Sequence, residues 1–246
     1  PRLPQEDEEN FNRITLRSMS GLWGDKPFTA SGQADMDGFQ PLAVDFNFQG
    51  KQLPVQWGDL FKGQADIDLH LSKAPTTPEV VEGKMPKLYY LSGKVDVSSG
   101  DLSVALDTLT SSGGQAFDWS QLPLDYRVDL HIGEDVWMHA FGCRVRTAGQ
   151  LAILPQEGTG KPVLEGEVDL SRGVLAVPLY DVSFKVRSGR AVFNKSQMPT
   201  LENVQADASV DNYEVTAYVS GSYPDLQLEF ISNPPLSQQE IQRLLA

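Results

Sequence analysis

The side chains able to do chemistry are few and stand apart from one another. Three histidines, His70, His131 and His139, and a single cysteine, Cys143, fall in no HExxH, CxxC or mixed Cys/His zinc spacing. His131 and His139 are the one conceivable ligand pair, yet a histidine on the solvated side of a strand is ordinarily a bystander. Cys143 follows Gly142 with no partner base in view and reads as a small buried hydrophobe. There is no GxSxG elbow and no P-loop, and Gly158-Thr159-Gly160-Lys161 is too short to cradle a phosphate. The paired acids Asp35 with Asp37 and Asp66 with Asp68 would point the same way from a strand, as a solvated charge row or a weak calcium site. The expectation is a protein that is not an enzyme, with no metal and no cofactor.

The elements that would position these residues are strands. From Val163 to Phe193, Leu164, Gly166, Val168 and Leu170 alternate with Glu165, Glu167 and Asp169, which gives an extended chain one apolar and one acidic face. Turns are expected at Ser171-Arg172-Gly173 and again at Arg187-Ser188-Gly189, with Val174, Ala176, Val182, Phe184 and Val186 resuming the period of two between them. Gly63 to Leu71 is the cleanest alternation in the chain. Tyr126, Val128, Leu130 and Ile132 alternate with acids and bases in the same way, and further strands are expected at Val136 to Phe141, Gly149 to Leu154 and Val204 to Val210. Val215, Ala217 and Val219 should pair across Gly221 to Pro224 with Leu226, Leu228 and Phe230.

A phrase repeats among these strands. Gly32-Gln-Ala-Asp-Met-Asp, Gly63-Gln-Ala-Asp-Ile-Asp, Gly93-Lys-Val-Asp-Val-Ser and Gly166-Glu-Val-Asp-Leu-Ser share one form, Gly-polar-small-Asp-apolar-polar. Units that cannot bury their own apolar face stack into one elongated sheet system, although the same phrase is also ordinary strand vocabulary. Pro75 to Pro86 and Ser111 to Gly114 interrupt the pattern as loops. Pro234-Pro235 ends the last strand. Ser237-Gln238-Gln239-Glu240 then forms a capping box, with Leu236 and Ile241 at the staple positions and Ile241, Leu244 and Leu245 on one helical face.

Composition bounds the reading. The chain has 246 residues, 40% hydrophobic and 22% charged, enough for a sizeable core. A mean hydropathy of -0.28 and the lack of any apolar run near the ~20 residues of a membrane span argue against an integral membrane domain. Thirty-three acids against 20 bases leave a net charge of -13. That charge repels nucleic acid and anionic membranes at long range. Residues 1–10 read as a flexible acidic segment, 11–233 as a single elongated β-groove domain, and 234–246 as the start of a capped helix cut short by the chain end. The whole reads as a segment of a longer protein whose anchor lies elsewhere.

Four motifs in order carry a family resemblance. They are His131-Ile-Gly-Glu-Asp-Val-Trp-Met-His-Ala-Phe-Gly-Cys-Arg-Val-Arg-Thr-Ala-Gly-Gln-Leu, Leu164-Glu-Gly-Glu-Val-Asp-Leu-Ser-Arg-Gly-Val-Leu, Phe184-Lys-Val-Arg-Ser-Gly-Arg-Ala-Val-Phe and Ser232-Asn-Pro-Pro-Leu-Ser-Gln-Gln-Glu-Ile. Together they resemble the C-terminal domain of the TamB family, the translocation and assembly module subunit of diderm bacteria, and more widely the AsmA-like group. Two departures stand out: Ala176-Val177-Pro178-Leu179 where a glycine is expected, and Asn194 in place of another glycine. The resemblance covers Asp125 to Ala246 best.

The resemblance implies an all-β fold, an elongated, curved, taco-like antiparallel sheet with an apolar interior. It implies a periplasmic location, an inner-membrane anchor in the full-length chain and the outer-membrane barrel TamA as partner. It also implies phospholipid or another acyl-chain ligand passing between the inner and outer membranes. A tail of about 16 carbons left in water costs on the order of 13 kcal/mol at ~0.8 kcal/mol per methylene, a penalty that a continuous apolar trough removes. The residues expected to line it are Ile67, Leu69, Val128, Leu130, Leu164, Val168, Leu170, Phe184 and Val186. A dozen to fifteen strands ~4.8 Å apart would make a section roughly 60 to 70 Å long with walls ~10 Å apart. Two alternatives stay open here. The interior is an unfilled trough or a closed sandwich, and the protein is a lipid conduit or a scaffold that docks TamA by strand addition at a sheet edge in the assembly of outer-membrane proteins and autotransporters.

Overall fold

Alternation over long runs, with few helix-forming stretches, commits this chain to strands, and their number and order follow from where turn residues interrupt it. The computed structural model describes residues 12–37, 40–57, 61–74, 86–104, 119–140, 143–176, 182–222 and 224–246. The loops expected at Ser111 to Gly114 and over most of Pro75 to Pro86, and the N-terminal segment, lie outside them. Twelve strands follow in chain order: β1 (Asn12–Trp23), β2 (Lys26–Asp37), β3 (Gln40–Trp57), β4 (Phe61–Lys73), β5 (Tyr89–Val104), β6 (Leu124–Ala140), β7 (Cys143–Pro155), β8 (Pro162–Ala176), β9 (Ser183–Ser196), β10 (Thr200–Val210), β11 (Tyr213–Ser222) and β12 (Gln227–Asn233), before helix α1 (Gln238–Leu245).

All twelve belong to one sheet, and their spatial order is their sequence order. Every neighbouring pair is antiparallel except β5 with β6, which run parallel from Tyr89 opposite Leu124 to Val104 opposite Ala140. A purely antiparallel sheet is therefore corrected at this one seam. Twelve strands ~4.8 Å apart give a sheet about 53 Å across. Among the described residues no second sheet faces it, and the apolar sides belong to one layer.

Strand geometry sorts side chains onto two faces. One cross-strand row reads Gly50, Ile67, Val95, Leu130, Leu151, Gly166, Phe193, and the adjacent row on the other face reads Gln49, Asp68, Lys94, Asp129, Ala152, Glu165, Asn194. A flat sheet would leave the first face wet. Instead Leu53, Phe184, Ala206, Val215 and Ala217 are at 0% exposure, although each strand's extensive contacts are with its sequence neighbours. The sheet is curved and open, and it curls around its own apolar side.

Tight curling crowds the inner face, and glycines relieve it. Gly93 sits between Leu69 and Val128 with φ +141°, where a Cβ would lie 2.1 Å from the Asp68 carbonyl oxygen. Gly166, between Leu151 and Phe193, has φ +129° and would place a Cβ 2.3 Å from the Gln150 carbonyl.

The two turns expected at Ser171 to Gly173 and Arg187 to Gly189 are corrected to irregularities inside β8 and β9, which run through both sites. Ser171 pairs with Arg146 and Gly173 with Val145, so Arg172, with φ 53°, is the extra residue of a β-bulge. A glycine next to a residue of positive φ suits a bulge as well as a turn. The runs expected over Tyr126 to Ile132 and from Val136 likewise merge into the single β6, which ends at Ala140, with a register shift between Ile132 and Val136; Phe141 lies outside the described residues. Where Asn194 replaces an expected glycine, the positive φ falls on Lys195, at 50°.

The C-terminal helix forms as its residues dictate. Ser237 is the N-cap, its Oγ accepting from the Glu240 amide, while the Glu240 carboxylate accepts from the Ser237 amide at 2.8 Å. Ile241 (0% exposed) and Leu245 (1%) turn into the sheet's apolar face, where they join Phe184, Val215 and Phe230. The Gln238 side-chain amide donates to the Phe230 carbonyl on β12.

Candidate functional site

The concave face is the candidate, and its residues come from every second position of successive strands. Ile67 and Leu130 share one cross-strand row; Leu69, Val128 and Leu164 share the next row on one side of it, and Val168 and Leu170 lie in the two successive rows on its other side. Phe184 faces Leu175, and Val186 faces Ala206, on the same side. All nine expected lining residues therefore stand on one face of one sheet.

Burial divides them. Ile67, Leu69, Leu130 and Leu164 are half-buried. Val128 and Val168 are 8% and 5% exposed, and Val168 packs in a cluster with Ala65, Val97, Ile132, Val136 and Leu151. Leu170 (6%), Phe184 (0%) and Val186 (6%) belong to a second cluster that α1 completes. Protein atoms already surround those three. The half-buried four sit on the open part of the face.

The exposure of this face grows towards β1. Ile14, Met19 and Trp23 stand 59%, 45% and 48% exposed on the first strand. Trp23 meets Phe48 edge-on at 6.3 Å, and Phe28 stacks on Phe48 at 5.6 Å. This aromatic group was missed as part of the site. Its signal was present, since Phe46 and Phe48 alternate with Asp45 and Asn47, but alternation does not show the pairing of β1 with β2 that brings Trp23 alongside.

Among the described residues, the row from Gly50 through Ile67, Val95, Leu130, Leu151 and Gly166 to Phe193 carries no charged side chain. The buried polar side chains among the described residues are Thr147 (4% exposed), whose hydroxyl donates to the Val136 carbonyl at 3.2 Å, and Ser232 (7%), whose hydroxyl donates to the Pro234 carbonyl at 2.9 Å. Among the described residues no buried side-chain polar atom lacks a partner. A surface of this kind offers dispersion and release of water to an apolar ligand, and little to a polar one.

The convex face holds the titratable groups, paired across strands. His70 lies 3.1 Å from Asp45, His131 3.2 Å from Asp96, and His139 2.9 Å from Asp101. His131 and His139 are thus engaged separately. Asp35 is bound by Arg13, whose hydrogen bond holds its pKa below the usual carboxylate range. Asp66 accepts from the Gln52 amide at 2.7 Å, and Asp68 from Gln49 at 3.2 Å. Both acid pairs are charge rows of the outer surface, and among the described residues no group of three or more His, Cys, Asp or Glu could hold a metal ion. Cys143 is half-buried, and burial pushes its thiol upward, away from the nucleophilic thiolate. Gly158 to Lys161 lies in the β7–β8 turn, where the Tyr126 hydroxyl donates to the Gly160 carbonyl at 3.1 Å. No helix among the described residues is long and apolar enough to cross a membrane.

Residues 17–246 match a family model described as the TamB C-terminal domain.

Proposed function

The chain belongs to the TamB family, and from that premise we propose that it is a non-enzymatic periplasmic segment that shields acyl chains on its concave face and conducts phospholipid between inner and outer membranes. The observation that supports this most is the continuity of apolar rows from β1 to β8 on a face that, among the described residues, no second sheet covers. A tail lying across Ile67, Leu69, Leu130 and Leu164 would leave its polar head in solvent. It would meet similar side chains from one strand to the next, so the barriers to sliding are small. The full-length protein, in this reading, is anchored in the inner membrane and reaches towards the outer one.

Lipid mass spectrometry on the gently extracted chain tests the proposal. Phospholipid should accompany the wild type and be depleted by Leu130→Arg. A lipid-free wild type would overturn it.

A second reading, docking of a TamA-like outer-membrane barrel during assembly of outer-membrane proteins, draws on the sheet edges. Among the described residues β1 pairs only with β2, whereas the last strand carries α1 and a Gln238 cap on its Phe230 carbonyl. An added strand would therefore align on β1. Proline at an exposed β1 position should abolish such docking and leave lipid content intact.

A further inference from the structure

The convex face is uneven in charge. The chain has 33 acids and 20 bases, yet the ends of β7, β8 and β9 along one rim, residues 143–146, 171–176 and 183–188, carry Arg144, Arg146, Arg172, Lys185 and Arg187 and no acid. The other end of β8 reads the opposite way, with Glu165, Glu167 and Asp169.

Register gathers the five cations. Arg144 lies opposite Val174 and Val174 opposite Lys185, while Arg146 lies opposite Ser171, next to the bulged Arg172. With strands ~4.8 Å apart, the patch is about 10 Å wide. Four of the five are exposed, and the residues between them, Val145, Phe184 and Val186, are buried on the concave side. Arg187 is answered by Asp207, which also lies opposite Lys185, Glu134 stands 4.0 Å from Arg146, and Asp101, opposite Trp137, is paired with His139, so the five cations outnumber the described carboxylates beside them. Two apolar groups lie within the patch. Trp137 carries the Arg144 guanidinium 4.2 Å above its ring, and Val174 is 42% exposed.

We propose that this rim docks the convex face onto an anionic bilayer surface, its guanidinium groups on lipid phosphates and Trp137 with Val174 at the level of the headgroups. The net charge of -13 repels an anionic surface at long range, but charges further off than about 8 Å are screened at physiological salt, so the local patch decides contact. A convex surface of cations mixed with an indole suits a broad anionic plane better than an acidic peptide, which would need a groove. The proposal does not rest on lipid conduction through the trough.

Flotation of the whole chain with phosphatidylcholine vesicles, with and without an equal share of phosphatidylglycerol, tests it. Binding should require phosphatidylglycerol and fall with added salt. Arg172→Glu with Lys185→Glu should lower partitioning at least about thirtyfold, and the milder Arg172→Gln with Lys185→Gln by a smaller factor in the same direction. Lys94→Glu with Arg127→Glu, on another part of the convex face, should change little, as should Leu130→Arg on the concave side. Equal binding to pure phosphatidylcholine, indifference to both rim variants, or binding to polyglutamate without binding to vesicles would overturn the proposal.

Discussion

The ring of Phe184 in β9 stacks on that of Phe230 in β12, centroids 5.9 Å apart and planes at 29°, although β10 and β11 lie between the two strands. Three strand spacings in a flat sheet amount to about 14 Å. The two rings meet because the sheet's last third curls on itself, and α1 closes the end by adding Ile241 and Leu245 to the same cluster. At the β1 end nothing described fills the corresponding space. One sheet thus has a packed end and an open end, and the predictions follow from that difference.

Truncation at the packed end should destabilise strongly. Phe184→Ala is expected to cost about 3–5 kcal/mol in urea unfolding. A double-mutant cycle with Phe230→Ala should show a coupling of roughly 0.5–1.5 kcal/mol, the worth of a stacked pair beyond its buried area. A coupling near zero would mean that the rings do not meet.

At the open end, charge should be tolerated by the fold and not by the ligand. Ile67→Arg places a guanidinium on a half-buried position whose long side chain can reach water, so the chain should keep its far-UV circular dichroism while losing copurified phospholipid. Phe184→Arg, at a position with no exposure, should fail to fold.

Curvature should depend on the inner-face glycines. A methyl group at Gly166 would meet backbone at 2.3 Å with φ at +129°, whereas at Gly158 (φ +84°) it would meet nothing within 4 Å. Gly166→Ala is therefore expected to destabilise by more than Gly158→Ala, whose cost is the backbone term alone, about 1 kcal/mol. Thermal unfolding of the two variants measures the order.

The cap of α1 gives a pH dependence of known sign. Hydrogen bonds from the Ser237 hydroxyl and amide, at 2.7 and 2.8 Å, hold the Glu240 carboxyl below its ordinary range. A depressed pKa contributes stability above the unfolded value and loses it as pH falls through the folded one. Glu240→Gln should therefore be less stable than wild type near neutrality, with the gap closing as pH drops through and below the usual carboxylate range. Ser237→Ala should cost about 1 kcal/mol at neutral pH.

How much was legible in the sequence differs by residue. Alternation placed Ile67, Leu130 and Val168 on one face, because the strand period of two is independent of what lies opposite. The S-Q-Q-E box placed α1, since both of its bonds are local. Arg172 and Gly173 were misread as a turn because turn and bulge ask for the same backbone conformation. The parallel seam between β5 and β6 was hidden, since a strand's pattern reads the same whichever way its neighbour runs. Burial at Phe184 was hidden as well: alternation says which face a side chain takes, and long-range curling decides what covers it.

Photocrosslinking tests the central claim most directly. A benzophenone side chain placed singly at Ile67 and Leu130 on the concave face, and at Asp129 on the convex one, should capture phospholipid in cells at the first two positions and not at the third. Adducts absent from Ile67 and Leu130, or equally abundant at Asp129, would contradict a lipid-bearing trough.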